Sequence, residues 1–81
     1  MTGTANPQID EQAMRARIGA RLREIRAARD LSQAAVAEGS GVAQQTISQA
    51  EAGLTVPSLA VMVKLCLFYR VRMAALVGEK V

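Results

Sequence analysis

Four polar side chains recur at helical spacing in a short segment near the middle of the chain. At about 100° per residue, a helix over Gln44–Glu51 places Thr46, Ile47 and Ala50 on its inner side. The outer side then carries Gln44, Gln45, Ser48 and Gln49. Amides and hydroxyls arranged in this way could form hydrogen bonds with the edges of nucleic-acid bases. The alternative interpretation is a polar face that is merely solvated.

Two short helical patterns joined by a glycine turn would position this face. Ser32 is a good N-cap for a helix over Gln33–Glu38, whose alanines allow another helix to cross at close range. Residues 39–41 (Gly-Ser-Gly) form the turn, where either glycine is free to adopt positive φ, and Gly53 ends the next helix. With their caps, the two helices span about 32–39 and 43–52. This layout predicts a helix-turn-helix, in which one helix lies across the DNA backbone and the next enters the major groove.

Helical patterns on both sides of the motif complete an all-α chain. Asp10 is a plausible N-cap for a first helix that runs to about Arg29, with a buried stripe at Met14, Ile18, Leu22 and Ile25. Ser58 caps a fourth helix to about Arg70, and a short fifth helix follows over residues 73–77. We therefore predict a compact five-helix domain over residues 10–77, with a flexible N-terminal tail at 1–9 and a second tail at 78–81.

The composition limits the size of the core. The 81 residues include one Tyr, one Phe and no Trp, so the core must come from smaller aliphatic side chains. The fourth helix is apolar nearly all round, whereas a surface helix of so small a domain should have a polar face. We therefore expect residues 58–77 to form a dimerisation region that shares burial with a second subunit. The predicted interface residues are Val63, Leu67, Phe68, Tyr69, Met73 and Leu76.

The basic residues are unevenly distributed. Six arginines lie in the first helix, whereas no Lys or Arg occurs between Asp30 and Val63. The net charge of +3 indicates only a mild preference for anionic partners. Contacts between basic side chains and phosphate must therefore come from the first helix, for which we predict Arg17 and Arg21. The alternative is that these arginines form a solvated face.

The reactive residue types argue against several classes of protein. The chain has no His and a single cysteine, Cys66, so we expect a buried thiol, no metal site and no cofactor. No nucleophile–base set is visible, which argues against an enzyme. The N-terminal segment MTGTANPQ lacks the basic and apolar regions of an export signal, and no apolar run reaches the ~20 residues of a membrane span. We expect a cytoplasmic protein with no membrane partner.

Five short motifs, in order and at fitting spacings, resemble the Cro/repressor-type helix-turn-helix proteins, also called the XRE family. The motifs are I-G-x-x-L-R-x-I-R at 18–26, L-S-Q-x-x-V-A at 31–37, G-V-x-x-x-T-I-S at 41–48, E-x-G at 51–53 and P-S-L at 57–59. The two glutamines that open the recognition helix are similar to those of lambdoid phage repressors. The resemblance covers residues 18–77 and implies the five-helix fold of the lambda-repressor-like type, with double-stranded DNA as the partner.

The resemblance also implies roles for individual residues. Gln33 would bind a phosphate and brace Gln44, whose amide matches N6 and N7 of adenine in the major groove. Arg26 and Glu51 would form a structural salt bridge between the first helix and the end of the third. The implied base contacts are Gln44, Gln45, Ser48 and Gln49. The implied backbone contacts are Ser32, Gln33, Ala43 and Thr46, in addition to Arg17 and Arg21.

Three features depart from the family pattern. Ala52 occupies a position that is often polar and close to DNA in relatives. The following loop, 54–56, is Leu-Thr-Val where relatives are often basic, and Arg70 and Arg72 replace a glycine and a polar cap. We therefore expect moderate affinity, strong reliance on dimerisation and an altered geometry at the C-terminal end.

The residues and the resemblance together predict a sequence-specific transcription regulator, a repressor or an activator, that binds a near-palindromic operator as a homodimer. Its two recognition helices would lie about one turn of DNA, ~34 Å, apart. A restriction-modification controller and an antitoxin of the same fold are alternatives, with a toxin or RNA polymerase as a possible protein partner. A different class is a protein-interaction module with a vestigial DNA-binding surface, which the uncharged motif and the apolar fourth helix would suit.

Overall fold

The computed structural model describes residues 10–77, which form five α-helices and no strand. The helices are α1 (Glu11–Ala28), α2 (Gln33–Ser40), α3 (Gln44–Glu51), α4 (Leu59–Tyr69) and α5 (Met73–Val77). The predicted all-α, five-helix architecture is confirmed. The predicted tails at 1–9 and 78–81 lie outside the described residues. Between residues 10 and 77, no helix is long and apolar enough to cross a membrane.

Three helices begin at the side-chain caps that the sequence predicts. The Asp10 carboxylate accepts a hydrogen bond from the Ala13 amide at 3.1 Å, and the Ser32 hydroxyl accepts one from Ala35 at 3.0 Å. The Ser58 hydroxyl accepts one from the Val61 amide at 3.2 Å. Each cap satisfies one of the first N–H groups of its helix, which have no partner within the helix itself.

The turn of the motif is shorter than the sequence predicts. Gly39 and Ser40 belong to α2, and only Gly41 has a left-handed backbone, with φ of 78°. The Ser40 hydroxyl accepts a hydrogen bond from the Val42 amide at 3.2 Å, which helps to close the turn. Gly39 permits close packing instead, because a Cβ atom there would lie 2.3 Å from Cε1 of Phe68 on α4.

Arg70 ends α4 in a backbone conformation that residues other than glycine rarely adopt. Arg70 has φ of 60°, in the left-handed region that costs most non-glycine residues about 1–2 kcal/mol. Arg29 at the end of α1 stabilises the same corner. Its Nη2 donates to the Tyr69 carbonyl at 2.8 Å, and its guanidinium lies 5.4 Å from the centre of the Tyr69 ring. The helix therefore ends in the left-handed conformation although arginine stands at this position.

The core lies between the five helices, where α1 packs against α3 and α5, and α2 packs against α3 and α4. It consists of Ile18, Leu22, Val36, Val42, Ile47, Ala50, Met62, Leu65, Cys66, Tyr69 and Leu76. Burial raises the pKa of the Cys66 thiol above its ordinary value. Tyr69 is 2 % exposed and Leu76 is fully buried within the protomer. Their assignment to a dimer interface is therefore wrong, because their surface is already covered by their own chain.

The contact between α1 and α3 depends on a glycine. A Cβ atom on Gly19 would lie 2.5 Å from the Ala50 carbonyl oxygen and 2.8 Å from that of Glu51. Both neighbours are backbone atoms of α3, so they cannot move aside without displacing the helix. Gly19 thus allows α1 to lie directly against the C-terminal end of α3.

We predict that Gly19→Ala lowers the free energy of unfolding by about 1–3 kcal/mol, because the added methyl group must push two helices apart. Gly39→Ala is the matched control, since its methyl group would meet the Phe68 ring, a half-buried side chain that can rotate. Urea unfolding monitored by circular dichroism measures both variants. Equal losses for the two variants would contradict the close backbone contact at Gly19.

Candidate nucleic-acid interface

The outer side of α3 presents the polar residues that the helical spacing predicts. Gln44, Gln45 and Ser48 are exposed and Gln49 is half-exposed. The inner side is anchored in the core by Ile47 and Ala50, whose exposures are 1 % and 0 %. Thr46, expected on the inner side, is half-exposed and lies at the edge between the two. The helix therefore offers a row of amide and hydroxyl groups on a rigidly seated backbone.

The N-terminus of α3 is open. Its N-cap residue, Ala43, has no side chain that could bond the first amides, in contrast to the caps of α1, α2 and α4. The first N–H groups of a helix carry partial positive charge and attract anions. The arrangement leaves these donors accessible beside Gln44, where a phosphate oxygen could accept from them.

One buried carboxylate joins the first three helices. Glu51, at the end of α3, is 2 % exposed. Its Oε2 accepts from Nε of Arg26 at 2.8 Å, and its Oε1 accepts from Nη2 of Arg26 at 2.9 Å. Nη1 of Arg26 donates to the Leu31 carbonyl at 2.8 Å, just before α2. The hydrogen bonds with Glu51 raise the pKa of Arg26 further above its ordinary value. The structural pairing of Arg26 with Glu51 is present as predicted.

The Gln33 side chain also belongs to this network. Its Nε2 donates to Oε1 of Glu51 at 3.0 Å, and no hydrogen bond to Gln44 is present among the described residues. The expected bracing of Gln44 by Gln33 is therefore absent, because the buried carboxylate is the stronger acceptor for the amide. The backbone N–H of Gln33 lies in the first turn of α2, directly after the N-cap Ser32.

The arginines of α1 divide into two faces. Gly19 marks the line of contact with α3, and at 100° per residue Arg15 and Arg23 lie about 40° from it. Arg17 and Arg21 lie about 160° from it, on the far side of α1. Their assignment as backbone contacts stays a prediction, and neither side chain borders α3. Helical periodicity groups residues on a face, but it does not reveal which face meets α3.

Arg23 is the basic residue that the sequence analysis missed at this site. It is exposed, and its Nη1 donates to the backbone carbonyl of Glu51 at the C-terminal end of α3. Its position one helical turn after Gly19 is the signal that could have identified it, had the glycine been recognised as the point of close approach.

An apolar stripe runs along the outer face of α4. Leu59, Val63 and Leu67 follow one another at intervals of four residues, with exposures of 71 %, 41 % and 73 %. Phe68 on the same helix and Met73 at the start of α5 are half-buried. Leu59 is absent from the residues predicted for the interface, although its spacing from Val63 could have identified it.

A five-helix domain that exposes the polar face of α3 next to a crossing α2 is a helix-turn-helix domain. A family model described as helix-turn-helix (HTH_3) matches residues 22–76, more than half of the chain. The chain therefore belongs to the HTH_3 helix-turn-helix family, a family of DNA-binding transcription regulators and not of enzymes. The resemblance to the XRE family is thereby confirmed.

A curated relative is a phage protein. The cryptic phage CTXphi transcriptional repressor RstR from Vibrio cholerae is 41 % identical over 59 residues, which make up 73 % of this chain and 53 % of the repressor. The chain thus spans about half the length of that relative.

Solved structures have the same fold. The restriction-modification controller protein C.AhdI from Aeromonas hydrophila matches with a TM-score of 0.74 and 33 % identity, over 79 % of this chain and 97 % of the controller. An HTH_3 family transcriptional regulator from Vibrio cholerae matches with a TM-score of 0.77 and 26 % identity, over 82 % of this chain and 37 % of its own. The hypothetical transcription factor NHTF from Neisseria, at 22 % identity and a TM-score of 0.76, shows the fold alone.

We predict that Glu51→Met lowers the free energy of unfolding by about 3–5 kcal/mol, because it leaves the Arg26 guanidinium without its buried partner. The double variant Arg26→Met/Glu51→Met removes both charges and should be the more stable of the two. Chemical denaturation of both variants measures the difference. Glu11→Gln is the control: the carboxylate of Glu11 is exposed and lies 3.9 Å from Arg15, so its loss should cost less than about 1 kcal/mol. A double variant less stable than Glu51→Met would contradict the prediction.

Proposed function

We propose that this chain is a sequence-specific transcription regulator that binds a near-palindromic operator as a homodimer, with α3 in the major groove. The observation that carries the proposal is the exposed face of Gln44, Gln45, Ser48 and Gln49 on a helix whose other side is locked into the core. A helix that reads bases must hold its side chains in register with the base pairs. The Glu51 network supports that requirement by attaching the end of α3 to two other helices.

The chemistry of the face suits adenine in particular. A glutamine side-chain amide presents an N–H donor and a carbonyl acceptor side by side, which match the N7 acceptor and the N6 donor of adenine in the major groove. Gln44 is the first choice for such a contact, because it is exposed at the open N-terminus of α3. Ser32, Gln33, Ala43 and Thr46 flank this end and are proposed to contact the phosphate backbone, chiefly through backbone N–H groups.

The α4 stripe supports a homodimer. An isologous interface brings the same surface of two subunits together, and the stripe of Leu59, Val63 and Leu67 is a self-complementary apolar row. Phe68 on α4 and Met73 at the start of α5 would extend the contact toward α5. Burial of this stripe removes from water the largest apolar side chains that α4 exposes.

A restriction-modification controller is the second candidate. The controller protein C.AhdI matches over 97 % of its own length, whereas the phage repressor matches over 53 % of its length. Both roles use the same DNA-binding geometry, so they differ in the operator and not in the residues of the site. The genes next to this one, a restriction endonuclease or an integrase, would distinguish them.

We predict that Gln44→Ala lowers affinity for the operator by about 1–3 kcal/mol and leaves binding to random DNA almost unchanged, because a base contact carries specificity. The operator is obtained by selection from a random pool of duplexes, and fluorescence anisotropy measures both affinities. Gln12→Ala, an exposed glutamine on α1, is the matched control. Equal losses on both kinds of DNA would exclude Gln44 as a base contact, and a wild type without any DNA preference would favour the protein-interaction module.

We predict that Leu67→Glu produces a monomer at micromolar concentration, because dimerisation would then bury two unpaired carboxylates. Sedimentation equilibrium measures the oligomeric state. Leu54→Glu is the control, since it adds the same charge at a leucine of similar exposure, 69 % against 73 %, outside α4. A Leu67→Glu protein that stays dimeric would place the interface elsewhere.

A further inference from the structure

The described part of the motif lacks the side chains that usually bind phosphate. From Leu31 to Met62 there is no Lys or Arg, so α2, α3 and the loop after α3 contribute no cation. Phosphate contacts supply most of the sequence-independent affinity for DNA. Some other part of the fold must therefore bring positive charge to α3.

The face of α1 that borders α3 can do so. Gly19 lets α1 touch the backbone of Ala50 and Glu51, which places Arg15, Arg23 and Arg26 on the side of α1 that borders α3. Arg26 is committed to Glu51 and Leu31 through three hydrogen bonds. The side chain of Arg15 is 29 % exposed and lies 3.9 Å from the Glu11 carboxylate, near the start of α1. Arg23 is the arginine on this side that is exposed and also contacts the backbone of α3.

The position of Arg23 is set by the end of α3. The last carbonyl groups of a helix have no partner within the helix and carry partial negative charge. Nη1 of Arg23 donates to one of them, the carbonyl of Glu51, beside the exposed Ala52. A guanidinium has five N–H donors, and among residues 10–77 this carbonyl is the one acceptor that Arg23 bonds. Its other donors face solvent at the C-terminal end of the recognition helix.

We propose that Arg23 is the phosphate-binding cation of this domain, positioned by the Glu51 carbonyl to meet the DNA backbone where α3 leaves the major groove. The proposal rests on the proposed function, since it assumes that α3 enters the groove. One guanidinium can bind both groups, because it has several N–H donors in one plane and can donate to a carbonyl on one side and to a phosphate on the other. The same contact neutralises the negative end of α3, which would otherwise repel a phosphate.

The test measures how DNA affinity depends on salt for the full chain and its variants. With Arg23 as the one cationic phosphate contact of each subunit, the dimer neutralises two phosphates, and log affinity should fall against log salt with a slope of about −1.8. Arg23→Gln removes both contacts, so the slope should approach zero. Affinity should fall equally for the selected operator and for random duplex, because a phosphate contact carries no sequence information.

Two variants separate this role from the alternatives. Arg17→Gln removes the same charge from the opposite face of α1 and should keep the slope near that of the wild type. Arg23→Lys keeps the charge and should restore most of the slope lost in Arg23→Gln. Thermal unfolding of each variant shows whether the fold is intact, because a purely structural cap would change the melting temperature and leave the slope alone.

The outcomes distinguish this inference from the proposed function. An unchanged slope in Arg23→Gln, or an equal loss in Arg17→Gln, overturns the assignment of Arg23 while DNA binding by the wild type stands. A wild type whose affinity does not depend on salt overturns the DNA-binding function itself, and the role of Arg23 with it. A reduced slope in Arg23→Gln alone supports both.

Discussion

The rest of the structure depends on the carboxylate of Glu51. A buried carboxylate is costly unless its oxygens are fully paired, and here Arg26 and Gln33 together supply three hydrogen bonds to it. Because its partners come from α1 and α2, the charge can be satisfied only when three helices meet in one arrangement. A small core of Ile, Leu, Val and Ala tolerates sliding, since apolar contacts have no direction. The ion pair between Arg26 and Glu51 fixes the relative orientation of the helices. It lies at the end of α3, the helix that presents the glutamine face.

Elements defined by local signals could be predicted from the sequence. The hydroxyl and carboxylate caps at Asp10, Ser32 and Ser58 act within one turn, so the starts of three helices follow from neighbouring residues. The outer face of α3 follows from spacing alone, because its apolar side is short and unambiguous. These signals account for the architecture and for the exposure of Gln44.

Features that depend on how helices meet could not be predicted in the same way. The helix α4 is apolar nearly all round, so periodicity could not separate Tyr69, which is buried, from Leu67, which is exposed. The same limit applies to α1, where every arginine satisfies the rule for a solvated face. The contact at Gly19 shows which arginines of α1 lie next to α3. The sequence alone could not reveal this contact, because a glycine inside a helix has several possible explanations until its neighbour is known.

The contact between Gly39 and Phe68 has a consequence for the DNA. It joins α2, half of the motif, to α4 through the Phe68 ring, which lies directly against the helix backbone at Gly39. If α4 carries the second subunit, each recognition helix is coupled to the symmetry axis through rigid packing and not through a flexible linker. One base pair inserted between the half-sites rotates them by roughly 34° relative to each other. A rigid dimer cannot turn its two recognition helices to match that rotation. Under the proposed homodimeric function, the operator would therefore have a single permitted spacing between its half-sites.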